Sequence, residues 1–181
     1  MNMNLKNLFT LFLFFYTKSI LFSQDIHELA RSGSVAVVEQ FLKKEPDAIN
    51  RLSDRGITPF ILACYRGNNE VAKYLMNNGA DVNVCTSEGS AIYGILFKNN
   101  TEMLSYILEN GISPNDTCQF QQFGTPLHMA MSLKRYELVE LLLQYGANTS
   151  IPNQEGSSIG ELLIRYNDES LTKIFKQYEK N

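Results

Sequence analysis

The sequence predicts an all-α solenoid of about five helix-turn-helix repeats, and three observations predict it. The first is a complete unit between Gly56 and Asn83, where two short helical patterns are separated by Gly67 and closed by Gly79. The second is a near copy of that unit between Gly124 and Asn148. The third is spacing. Thr58 to Ser90 is 32 positions and Ser90 to Thr125 is 35, which brackets a repeat length of about 33 and leaves the slack to the loops.

Residues 1–23 stand outside this pattern. Met1 to Lys6 carries a single Lys, Leu8 to Tyr16 is apolar except for Thr10, and Ser19 to Gln24 ends in small and polar residues. That order is similar to a secretory signal peptide. The apolar run is shorter than the roughly 20 residues of a spanning helix. Lys18 interrupts the segment, and no Cys follows that could carry a lipid. Cleavage near Ser23 or Gln24 is expected, leaving an exported chain, periplasmic or secreted, with no membrane contact. An uncleaved N-terminal anchor is the alternative. The Asn-, Lys-, Ile- and Phe-rich usage has a bacterial look.

From residue 25 to residue 181 the chain reads as one domain, with repeats at 25–55, 56–88, 89–123, 124–155 and 156–181. The first has Ile26, Leu29 and Ala30, then Val37, Val38, Phe41 and Leu42, at helical spacing. The second starts its helix at Thr58, a good N-cap, with Pro59 where a missing N–H costs nothing. Phe60, Leu62 and Ala63 fill one side, Gly67 turns the chain, and Val71, Ala72, Tyr74, Leu75 and Met76 build the second helix. The third is degenerate, with Ser90 for Thr and Ala91 for Pro. The fourth restores Thr125-Pro126 and ends at Gly146-Ala147-Asn148. The fifth keeps Ile159, Leu162, Leu163, Leu171, Ile174 and Phe175 but lacks the closing turn. Degenerate end repeats are expected as caps.

The stretch Gly56-Ile57-Thr58-Pro59 through Gly79-Ala80-Asp81-Val82-Asn83, together with Thr125-Pro126-Leu127-His128-Met129-Ala130, closely resembles the ankyrin repeat. The resemblance runs from about Asp25 to Asn181. It implies a monomeric, non-catalytic module that recognises another protein through a concave face of loop tips and first-helix ends. It does not fix the target, because one scaffold serves unrelated partners. The readings that follow are a cell-envelope protein of accessory or immunity type, or a membrane-anchored scaffolding module with the N-terminus kept.

Composition agrees with a protein partner and with no nucleic acid. Without Lys6 and Lys18 the chain has 14 basic and 19 acidic residues, a net charge of −5, far from a basic nucleic-acid footprint. No His-Glu-x-x-His, Cys-x-x-Cys, Gly-x-Ser-x-Gly or phosphate-cradling glycine loop occurs, so no catalytic residue, cofactor or metal is assigned. His27 and His128 read as one slot of the repeat, shared with Ile61 and Tyr93, and the resemblance implies that this His bonds within its own turn. Asn115-Asp116-Thr117 and Asn148-Thr149-Ser150 match glycosylation sequons, but Asn here also closes the repeat's turn. Cys64 reads as a small packing residue. In an oxidising compartment Cys85 and Cys118, in corresponding loops, are the sensible disulfide pair. Stacked repeats would hold their Cα atoms beyond the 7 Å limit, so the second loop would have to fold back.

Position within the repeat selects the expected partner-binding residues. Arg55 and Phe123 fall on loop tips; Arg31, Tyr65, Arg66, Phe97, Lys98 and Leu133 fall on first-helix ends. Tyr65 and Phe97 are large aromatics on a face that solvent does not require to be aromatic, and Arg31, Arg66 and Lys98 repeat a cation in neighbouring units. Aromatics and Arg dominate interface energetics. The loop from Asn115 to Gly124 takes nine steps where Asn83 to Gly89 takes six, and it carries Phe120 and Phe123. Those two either meet a partner or tuck over the neighbouring tip.

Overall fold

A computed structural model describes residues 25–116, 118 and 123–178. The expected signal peptide and Phe120 lie outside the described residues. Among those described there are ten α-helices and no β-strand. The first helices of successive repeats are α1 (Ile26–Ser32), α3 (Pro59–Arg66), α5 (Ala91–Phe97), α7 (Pro126–Ser132) and α9 (Ile159–Tyr166). Their partners are α2 (Val35–Lys44), α4 (Asn69–Asn77), α6 (Thr101–Glu109), α8 (Tyr136–Gln144) and α10 (Glu169–Tyr178). A 3-10 turn at Pro46–Asn50 follows α2.

The N-caps of the first helices, Asp25, Thr58, Ser90, Thr125 and Ser158, recur at 33, 32, 35 and 33 positions. Where the cap residue is strong its side chain closes the first turn. Thr58 Oγ1 accepts the Ile61 N–H at 3.2 Å, and Ser158 and Glu161 bond each other's backbone N–H at 3.3 and 2.7 Å. Such a cap stabilises by about 1 kcal/mol. In the degenerate third repeat Ser90 does not cap its helix; its hydroxyl donates to Asp116.

The core runs the length of the stack. Phe60, Ile92 and Leu127 are buried on the first helices, and Leu75, Ile107 and Leu142 on the second. Each such side chain contributes about 1.5–3 kcal/mol on burial. Ala30, Ala63 and Ala130, five positions after their caps, are also buried, and their small size lets first helices approach closely. Cys64 is buried and unpaired, and burial pushes its thiol far above the ordinary range.

The first repeat departs from the others by one residue. α1 ends at Gly33 with extended backbone (φ −77°, ψ 172°), whereas α3 ends at Gly67 in the left-handed region (φ 75°). Counting from the caps, His27 is therefore the second helical residue and His128 the third, so the two do not share a slot. Alignment on the glycines hides this offset. His128 does bond within its turn, with Nδ1 accepting the Thr125 N–H at 3.2 Å. His27 reaches further. Nδ1 lies 2.9 Å from the Asp25 carboxylate and Nε2 lies 2.9 Å from the Arg51 carbonyl oxygen. Tyr93, in the same slot as His128, donates its hydroxyl to Gly124 O in the next tip at 2.7 Å.

Cys85 and Cys118 form a disulfide with Cα atoms 5.4 Å apart. Asp116 Oδ1 accepts the Cys118 N–H at 2.6 Å while its other oxygen takes the Ser90 hydroxyl. Cys118 is buried there. Asn115 itself is a turn residue: its amide donates to Gly146 O at 3.0 Å and its carbonyl accepts the Asn148 N–H at 2.6 Å. A glycan on that nitrogen would disrupt the donor bond.

Candidate functional site: a groove along the first three repeats

The ends of α1, α3 and α5 and the tips around Asp54 and Glu88 enclose an open groove. It gathers six of the nine residues expected to bind a partner: Arg31, Arg55, Tyr65, Arg66, Phe97 and Lys98. Two of the other three do not join it: Leu133 and Phe123 are half-buried and packed on the core. Phe120 lies outside the described residues.

Each member is placed by local folding. Arg66 is the last residue of α3 and Phe97 the last of α5, where the chain turns through Gly67 and, after Lys98, through left-handed Asn99. At these two ends Arg66, Phe97 and Lys98 face solvent. Phe97 is accordingly 60% exposed.

Tyr65 plays a different part from the exposed anchor expected. Its ring lies directly over Gly94 of α5, where an added Cβ would sit 2.4 Å from a ring carbon. Its hydroxyl donates to Glu88 O in the tip of the next repeat. The half-buried ring is thus a floor joining two repeats. Burial, reinforced by the Glu88 charge, raises its phenol well above the usual range, so it remains a neutral donor. The clue missed in the sequence is Gly94 itself. A glycine inside a helix costs about 1 kcal/mol against Ala and often marks a close approach.

The groove's charges are of two kinds. Arg31 pairs with Glu28 at 3.3 Å, and Arg55 pairs with Glu88 across two tips. Arg66 and Lys98 are exposed and make no ion pair among the described residues. The tip side carries Asp54, and Asp25 pairs with His27. The lining therefore holds four cations, Arg31, Arg55, Arg66 and Lys98, and four carboxylates, Asp25, Glu28, Asp54 and Glu88. On the second helices the polar residues are engaged between repeats instead: Lys73 with Glu102, Asn100 with Asn69, and Thr101 with Glu137.

No group of three or more His, Cys, Asp or Glu that could hold a metal occurs among the described residues. No helix among them is long and apolar enough to cross a membrane.

Comparison with known proteins agrees with this architecture. The family model "Ankyrin repeats (3 copies)" matches residues 26–118 and "Ankyrin repeat" matches residues 124–154. The chain belongs to the ankyrin-repeat family, an all-α class of generally non-catalytic protein-interaction modules. It is 30% identical over 143 residues to the ankyrin repeat protein FPV230 of Fowlpox virus (strain NVSL), covering 77% of this chain and 73% of that one. It is 25% identical over 140 residues to the tyrosine-protein kinase HTK16 of Hydra vulgaris, covering 74% and 18%. It is 26% identical over 147 residues to the phosphocholine transferase AnkX of Legionella pneumophila, covering 78% and 15%. The chain thus spans under a fifth of those two enzymes.

Proposed function

We propose that this chain is an exported, monomeric, non-catalytic protein that holds a protein partner in the groove of its first three repeats. One observation carries the reading: Phe97, Arg66 and Lys98 line one groove together, all exposed, and the two cations make no ion pair among the described residues. A large exposed aromatic beside cations is the composition of an interface anchor. Export rests on the N-terminal pattern of residues 1–23, and the paired Cys85 and Cys118 suit an oxidising compartment. An accessory or immunity role in the cell envelope is the corresponding biological reading.

Two measurements test it. A photo-crosslinking residue at Phe97 should trap one protein in intact cells, while the same residue at Ile164, exposed on the last repeat, should not; equal trapping at both sites would refute the groove. Intact mass of the protein from an envelope extract should begin near Gln24. A full-length mass would point to the anchored alternative.

A further inference from the structure

We infer that the groove takes an extended peptide segment bearing carboxylates next to an apolar side chain, with the carboxylates on Arg66 and Lys98 and the apolar group on Phe97. This rests on the groove reading above and specifies its partner's chemistry.

The contrast with the last two repeats supports it. There the cations near the first-helix ends are satisfied internally, Lys134 by Asp168 at 3.1 Å and Arg165 by Glu155 at 2.9 Å. In the second and third repeats Arg66 and Lys98, one position earlier in the turn than Lys134, make no ion pair among the described residues. A helix C-terminus favours one cation by its dipole, which accounts for either residue singly. It does not account for Phe97, whose exposed ring lies next to Lys98 and would lose water only under a ligand. Two cations flanking an apolar surface match a segment of alternating acidic and apolar residues, since exposed complementary charges steer and orient a partner.

The carboxylates in the groove narrow the class. Asp54 on the tip side and the acidic balance of the chain, net −3, repel a continuous polyanion. Nucleic acid is therefore disfavoured, and a segment with a few carboxylates is favoured.

The probe is a displayed library of random linear peptides, selected against the disulfide-intact protein. Selected binders should be enriched in Asp or Glu beside Leu, Ile or an aromatic. The double variant Arg66→Ser, Lys98→Ser should bind them about tenfold more weakly, which two exposed ion pairs together supply. Raised salt should abolish most of that difference. Binders lost in Phe97→Ala but indifferent to the double variant would overturn the acidic-segment inference while leaving the groove in place. Binders indifferent to all three changes, or no binders at all, would overturn both. Unchanged melting of each variant guards against unfolding as the cause.

Discussion

Lys98 and Lys134 stand at the same turn of successive repeats, one just before the left-handed residue Asn99 and the other itself left-handed, yet they have opposite fates. Lys134 reaches across to Asp168, which also accepts the Tyr136 hydroxyl and caps α10 through the Ser170 and Leu171 N–H groups. Lys98 and Arg66 make no ion pair among the described residues. The repeats share a skeleton, and what differs is whether a cation ties one repeat to the next or faces outward. The C-terminal half ties its cations between repeats, and the middle leaves Arg66 and Lys98 facing outward.

The largest expected effect concerns the link that holds the middle together. Changing Cys85 and Cys118 both to Ser opens a crosslink across 33 residues of sequence. A loop of that length is worth about 3–4 kcal/mol in the chain-entropy account. Urea unfolding should show the loss. A variant as stable as the wild type would mean that the Asp116 bonds to the backbone N–H of residue 118 and to Ser90 hold this region without a bridge.

A smaller effect separates two helical glycines. Gly94 lies under the Tyr65 ring, whereas Gly160 in α9 has open space where a Cβ would go. Gly94→Ala gains helix propensity of about 1 kcal/mol but overpacks the ring by about 1–3 kcal/mol, for a net loss of roughly 1 kcal/mol. Gly160→Ala should instead stabilise by about 0.5–1 kcal/mol. Thermal melts of the two variants should move in opposite directions, and two upward shifts would show that Tyr65 is not a floor.

The skeleton was legible in the sequence because it depends on short-range chemistry. Thr58-Pro59, Gly67 and Gly79 mark helix ends through caps and backbone conformation, and the apolar spacing of Val71, Ala72 and Leu75 marks a buried face. The groove was legible in membership, since position within the repeat selected Arg66, Phe97 and Lys98. What escaped were contacts between repeats. Tyr65 reads as an exposed aromatic until Gly94, 29 positions away, is seen to admit its ring. The one-residue offset of His27 escaped because Gly33 resembles Gly67 in sequence and adopts a different backbone.

The smallest expected effect tests the opening contrast most directly, and it depends on acid. The backbone N–H of Leu171, together with the Lys134 charge and the Tyr136 hydroxyl, holds the Asp168 carboxyl below its ordinary value. A carboxylate depressed in the folded state contributes stability that is fully present above its unfolded pKa of about 3.9 and is lost as pH falls through the lower folded value. Asp168→Asn should therefore lower the melting temperature near neutrality and flatten its decline on the acid side of about pH 4. Arg66→Ser with Lys98→Ser removes cations that have no carboxylate partner among the described residues, so stability should hold within about 0.5 kcal/mol. The acid-side decline should also be unchanged. If that double variant instead melts early, or flattens the acid limb as Asp168→Asn does, then Arg66 and Lys98 serve cohesion as Lys134 does, and the middle repeats are not set apart for a partner.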